Sequence, residues 1–375
     1  MKLRTKNTRG DTVTINRSPF YRSYRRAVKR STGETIPGWT DQPVKRSPVK
    51  RSTGETIPGW TDQPVKRFSV KRSTGETIPD SRWEQNGVTV GAGHGNGSDL
   101  NQVWAPLGIC VDENQNVFVV DSVNNRIVEW KVGAKEGVLA FGGDDFVEGS
   151  NKLAGPSDVI FDQRNNNFII ADCNNQRVVR WILGVDTVHE IIATDIDCKG
   201  LAIDENNSIY VTDNARDEVV RYDVGDSEGT IVAGGNGKGD GLNQLNSPYR
   251  VFVDQDYSVY VSDEDNHRVM KWTDGATEGI VVAGGQGAGG SLSQIHYPRG
   301  IFVDNFGTLY AVDYENARVV RWLKDAVQGE VIVGGNGEGK QANQLCSPNG
   351  IAFDNQGNLY VVDSGNARVQ KFNII

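Results

Sequence analysis

Cysteine and histidine are both scarce, with four of each in 375 residues. So few cysteines exclude a disulfide framework at this length, and no two are spaced as a CxxC metal pair. Four histidines leave little material for a histidine-built metal site. No run approaches the ~20 apolar residues of a membrane span. Residues 1–10 are polar and basic with no apolar core, so a secretory signal is not expected and a cytoplasmic location is favoured. Glycine is plentiful at 44, but it falls in scattered pairs and not at every third position, which excludes collagen. There is also no Gly-x-Ser-x-Gly elbow and no phosphate loop.

The net charge of −8 conceals two opposite parts. Residues 1–83 hold 19 Lys and Arg against 7 Asp and Glu, a net of +12, which leaves 21 against 41, or −20, for the rest. An acidic body repels phosphate backbones, so general nucleic-acid binding by the C-terminal part is not expected. The basic part could touch nucleic acid, an anionic lipid surface or the acidic body itself.

That basic part is repetitive. Val28–Pro48 and Val49–Ser69 are near-identical, and a third copy runs from Val70 to Pro79, a period of 21. Each copy carries little more than one Ile and one Trp among Pro, Gly, Ser, Thr and Lys, too little apolar surface to offset the entropy of ordering the chain. Residues 1–83 therefore read as a disordered basic arm. Dibasic pairs such as Lys45-Arg46 and Lys66-Arg67 flank the copies. They would suit a secreted peptide precursor, but that needs a leader that is not seen, and tandem duplication explains the pattern equally. The Lys-Arg-Ser-Thr quartets would also suit a basic-directed kinase.

A second repeat occupies residues 84–375: Pro-x-Gly-Ile-x-Val-Asp, a turn, Val-Tyr-Val-x-Asp, then Asn-x-Arg-Val-x-x-Trp. Its second aspartate recurs as Asp121, Asp172, Asp213, Asp263, Asp313 and Asp363, with spacings of 51, 41, 50, 50 and 50. The aromatic nine residues later is Trp130, Trp181, Tyr222, Trp272, Trp322 and Phe372. Each unit holds four short strand signals rich in β-branched and aromatic residues. In the fourth unit these are Arg250–Asp254, Ser258–Ser262, Val269–Trp272 and Gly279–Gly284. Four-stranded antiparallel units at this period are the blades of an all-β propeller. The Gly-Gly pairs, such as Gly284-Gly285, end the outer strands where positive φ is needed. The chain stops after the third strand of the sixth unit, while a matching fourth strand, Val88-Thr89-Val90, lies at the other end of the array. The predicted ring is therefore six-bladed and closed by this N-terminal strand, which removes two open sheet edges. A ring completed within one chain is expected to be monomeric.

These units resemble NHL repeats over about 290 residues. The namesake core stands here as Asn266-His267-Arg268, with related forms at Asn316-Ala317-Arg318 and Asn366-Ala367-Arg368. The resemblance implies the propeller fold. It does not single out a function, since such propellers serve as protein- or RNA-binding platforms, as extracellular sensor domains and as the scaffold of an amidating lyase. The Cys/His zinc modules of tripartite-motif ligases have no counterpart here. The lyase resemblance implies a histidine-held metal, but His94, His189, His267 and His296 fall at different positions within the repeat. No cofactor and no metal are expected.

Strand parity places the loops leading into strand one on the same face as the loops joining strands two and three. The varying residues of the lead-in loops are Leu107, Ser157, Asp158, Lys199, Tyr249, Arg250, Arg299 and Asn349. Asp158 and Arg250 stand where four units have glycine. From these we expect a ligand site of Asp158, Lys199, Tyr249, Arg250, Arg299 and Asn349, with Lys199, Arg250 and Arg299 as a cationic arc suited to a small anion, a carboxylate or an acidic peptide. Asp158 is expected to pair with Lys199. A calcium centre, which needs roughly 6–8 oxygens, is opposed by three cations. The pairs Asp121/Arg126, Asp172/Arg177, Asp263/Arg268, Asp313/Arg318 and Asp363/Arg368 recur in five units and read as structural, because a catalytic group is needed once. The third unit has Glu218 in place of the arginine. Cys173 and Cys198 belong to one face of adjacent units and are candidates for a disulfide. The functional expectation is a non-enzymatic binding platform for a protein, peptide or small anion. The alternatives are a hydrolase or lyase with a metal at the channel, and an RNA-binding domain.

Overall fold

The computed structural model describes residues 3–6, 12–15, 81–143, 152–185, 188–226 and 228–375. The chain divides into two units, residues 1–67 and 68–375. In the first, Leu3–Lys6 pairs antiparallel with Thr12–Ile15. The 21-residue repeats lie outside the described residues.

In the second unit the strands form six four-stranded antiparallel sheets, the blades of a propeller. Blade 1 is Pro106–Val111, Val117–Asp121, Arg126–Trp130 and Val138–Gly142. Blade 2 is Asp158–Asp162, Asn167–Asp172, Arg177–Ile182 and Val188–Thr194. Blade 3 is Cys198–Ile203, Ile209–Asp213, Glu218–Tyr222 and Thr230–Gly234. Blade 4 is Pro248–Val253, Val259–Asp263, Arg268–Trp272 and Ile280–Gly284. Blade 5 is Pro298–Val303, Leu309–Asp313, Arg318–Trp322 and Glu330–Gly334. Blade 6 is Pro348–Phe353, Leu359–Asp363 and Arg368–Phe372, completed by Val88–Ala92.

The closing strand pairs Arg368 with Ala92 and Lys371 with Val88, so the last blade has no missing edge. Trp83 reinforces the closure from just upstream. It is 2% exposed, its indole N–H donates to Gly357 O at 2.9 Å, and it packs edge-on against Tyr310 and Phe353. In blades 1, 4, 5 and 6 the first strand begins at the proline, which in blade 4 is two residues earlier than the apolar pattern predicts. A bulge between Pro248 and Val251 accommodates the ring that cannot donate to the ladder.

Six apolar clusters hold the ring, one at each seam between consecutive blades. The seam of blades 1 and 2, for example, stacks Phe118, Phe141, Phe168 and Trp181. Burying each such side chain contributes roughly 1.5–3 kcal/mol. The Pro-x-Gly motif follows from crowding at the hub. A Cβ on Gly200 would lie 2.6 Å from Tyr249 O and 2.7 Å from Arg250 Cα of the next blade. The first strands thus approach too closely there for most side chains.

Candidate functional site at the channel mouth

The recurring Asp and Arg build the frame of one face. In all five pairs the arginine Nε lies 2.7 Å from the aspartate Oδ2, and the aspartates are fully buried. The remaining arginine N–H groups hold the crossing loop between blades: Arg268 donates to the carbonyls of Asp240, Gly241 and Gln244. The other aspartate oxygen takes a backbone N–H of the lead-in loop, as Asp263 does from Asn246 at 2.7 Å. Blade 3 recovers the missing cation from two positions earlier. Arg216 reaches Asp213 at 2.6 Å, while Glu218 occupies the usual arginine position. Burial pushes Asp121, Asp263, Asp313 and Asp363 up from the ordinary carboxylate range, and the donors around them pull back.

Inside this frame, two consecutive residues of blade 4 span the hub. The Tyr249 hydroxyl exchanges hydrogen bonds with the Asn349 amide of blade 6 at 3.1–3.2 Å, passing blade 5. Arg250 reaches the other way. Its Nη1 donates to Lys199 O of blade 3, and its Nη2 donates to Ser157 O of blade 2 at 3.0 Å and lies 3.6 Å from the Asp158 carboxylate. The two departures from the hub glycine are therefore opposite charges that face each other past blade 3. Tyr249, Arg250, Asp158 and Asn349 are all buried. Burial pushes the Asp158 carboxyl up, and the Arg250 charge opposes the rise.

The expected cationic arc carries no excess positive charge. Arg250 is paired with Asp158, Lys199 Nζ lies 2.9 Å from Asp197, and Arg299 Nε lies 2.8 Å from Glu264. The ion pair of Asp158 is thus with Arg250, and that of Lys199 is with Asp197. Three cations meet three carboxylates because groups this deep cannot stay charged without partners. Arg299 also lies 5.0 Å from the Tyr249 ring centroid and 3.5 Å from that of Tyr314. Burial works against the Arg299 charge, but Glu264 and the two phenol rings hold its pKa above the ordinary value. Cys173 and Cys198 are free thiols. Cys173 contacts Lys199 and Asp197, and Cys198 donates to Arg177 O at 3.3 Å.

Glu264, Asp197 and Tyr314 complete this mouth and were not singled out from the sequence. For Glu264 and Tyr314 the available signal was the residue after each strand-two aspartate: Ser122, Cys173, Asn214, Glu264, Tyr314 and Ser364. It varies beside an invariant partner and always lies on the mouth face. Blade 1 adds an apolar rim, with Trp104 49% and Val123 50% exposed, joined by a bond from Val123 N to Trp104 O. The opposite face is uniform by comparison. There Asp112, Asp204, Asp254, Asp304 and Asp354 each accept two backbone N–H groups of the turn between strands one and two. Among the described residues, no three His, Cys, Asp or Glu side chains come together as a metal site.

In blades 1, 3 and 4 the residue just before the third strand stitches neighbouring blades. Asn125 Oδ1 accepts Gly155 N, Asp217 Oδ1 accepts Ser247 N, and His267 Nδ1 accepts Tyr297 N at 3.3 Å. The last stitch needs Nδ1 unprotonated. His267 also faces His296, its ring 5.1 Å away, with Asp265 and Asp313 nearby. Burial, then His296, lowers the His267 pKa from 6.5. A lowered histidine pKa means the folded state binds the proton less well than the unfolded state. The contribution is therefore complete above about pH 6.5 and is lost as pH falls through the folded value. Urea unfolding from pH 7.5 to 5 is expected to show stability falling on acidification, with His267→Asn, the blade 1 solution, flattening that dependence. An unchanged slope in His267→Asn would refute the stitch.

A match to the NHL repeat covers residues 345–372. A comparison with curated proteins found no match. Among solved structures, the chain is similar to a protein of unknown function from Bacteroides thetaiotaomicron at 16% identity and a TM-score of 0.61, over 77% of this chain and 76% of that one. It is similar to an auxiliary nutrient binding protein from the same organism at 15% identity and a TM-score of 0.56, over 73% and 70%. A catalytically inactive virginiamycin B lyase from Staphylococcus aureus with quinupristin matches at 13% identity and a TM-score of 0.51, over 79% and 100%. At these identities the likeness is one of fold. With its six closed blades this chain is a six-bladed β-propeller, and its last blade carries a match to the NHL repeat.

Proposed function

We propose that this protein is a non-enzymatic binding platform whose channel-mouth face takes a segment of a protein or peptide. The observation that carries the reading is the rim of blade 1, where a half-exposed Trp104 stands beside Val123 on the face whose residues differ from blade to blade. An exposed tryptophan among varied polar groups is the composition of a recognition surface. Lys199 and Arg299, with the Tyr314 ring beside Arg299, contribute hydrogen bonding and aromatic surface at the centre. With the charges of Lys199, Arg250 and Arg299 neutralised by Asp197, Asp158 and Glu264, the centre favours a polar or neutral peptide over a simple anion.

The test is to pan a random peptide library on immobilised propeller and measure the selected peptides by calorimetry. Trp104→Ala is expected to weaken binding about 30-fold, the effect of losing an anchor worth about 2 kcal/mol. Phe306→Ala, on the opposite face and 51% exposed, is expected to leave binding unchanged. A steep salt dependence would favour the small-anion reading instead. Peptides that respond to Phe306→Ala and not to Trp104→Ala would overturn the assignment of the face.

A further inference from the structure

Between blades 2 and 3 the mouth holds a thiol, an amine and a carboxylate in mutual contact. Lys199 Nζ lies 2.8 Å from Cys173 Sγ and 2.9 Å from Asp197 Oδ1, and Cys173 Sγ donates to the same carboxylate at 3.3 Å. Two segments supply them: the turn after strand two of blade 2 carries Cys173, and the entry into the first strand of blade 3 carries Asp197 and Lys199. The thiol is 8% exposed, the lysine side chain 13% and the aspartate side chain 31%, so the cluster is most open to solvent at Asp197. The binding reading gives Cys173 no task. No other blade places a thiol at this position, where Ser122, Asn214, Glu264, Tyr314 and Ser364 stand.

We propose that Cys173 and Lys199 form an oxidative modification site at which peroxide joins the sulfur and nitrogen through one oxygen atom. The proposal is separate from the binding reading and does not depend on it.

The chemistry balances with hydrogen peroxide as the oxidant. The Cys173 thiol gives its proton to Asp197, and the thiolate attacks one peroxide oxygen. The O–O bond breaks, leaving a sulfenic acid and a hydroxide. The hydroxide takes the surplus proton of the Lys199 ammonium and becomes water, which leaves a neutral amine beside the sulfenic oxygen. A second peroxide removes two electrons as the N–O bond forms, and two further waters leave. In sum, one thiol, one amine and two peroxide molecules give one S–O–N bridge and three waters. Burial raises the Cys173 thiol pKa, and the neighbouring Lys199 charge draws it back, so the lysine both favours the thiolate and traps the product. The bridge leaves Lys199 uncharged, and the thiol proton left on Asp197 removes the matching negative charge.

The experiment treats the full chain with hydrogen peroxide, digests it with trypsin without reduction and reads peptide masses. The expected product joins the Cys173 and Lys199 peptides with a mass gain of one oxygen less two hydrogens. Cleavage after Lys199 is lost, and dithiothreitol restores both. Cys198→Ser is expected to keep the product, and Lys199→Arg to abolish it. A Cys173–Cys198 disulfide as the product, or Cys173 passing to sulfinic and sulfonic acid with Lys199 still cleaved, would overturn the proposal. The wild-type masses decide the matter even where a variant folds poorly.

Discussion

Deleting residues 1–92 is expected to lower the melting temperature of the propeller by at least about 10 °C, whereas deleting residues 1–80 leaves it nearly unchanged. The longer deletion removes Val88–Ala92, which forms the outer strand of blade 6, and exposes the backbone of Arg368–Phe372 as an open edge. It also removes Trp83, whose burial among Tyr310, Phe353 and Phe372 is worth about 3–5 kcal/mol on the scale of a tryptophan truncation. The shorter deletion spares every one of these contacts, including the bond from Arg321 to Ser81 O at 2.8 Å. Thermal unfolding followed by circular dichroism separates the two. Equal melting of both truncations would mean that the ring does not depend on closure through its first strand.

Arg250→Ala is expected to destabilise the ring by about 3–5 kcal/mol, the cost of leaving a buried charge without its partner. Asp158 is 5% exposed, and the lost guanidinium also leaves Ser157 O and Lys199 O without their donor. This differs from the mild, binding-only effect that an arc of solvent-facing cations would give. Combining Arg250→Ala with Asp158→Asn is expected to cost less than the sum of the single changes, with a coupling of about 0.5–3 kcal/mol. Chemical denaturation of the four proteins measures it. Strictly additive losses would show that the two groups, although 3.6 Å apart, stabilise the hub independently.

Much of the architecture was legible because a propeller repeats its instructions. Six aspartates in register, an aromatic nine residues after each and a proline-glycine lead-in each report the same local physics: a turn to cap, a seam to fill and a crowded hub. The stray strand Val88-Thr89-Val90 could be assigned to blade 6 because the last unit lacked a fourth strand. The site was legible only as a list of positions. Asp158 and Arg250 stood out by breaking the glycine pattern, and both lie at the hub, but the pattern could not say that they face each other across blade 3.

By itself, then, the sequence determined the number of blades, the strand order and the closure of the ring. These depend on short-range periodicity, which survives in one dimension. Only the tertiary structure decided which charges meet. Tyr249 finds Asn349 one hundred residues away, Arg250 finds Asp158 two blades back, and Lys199 finds Cys173 across a seam. The ring brings every first strand to a common centre, so partners there are set by reach and angle around the axis and not by separation along the chain. A buried cation must also take whichever carboxylate its side chain can touch, and that distance exists only after the blades have closed.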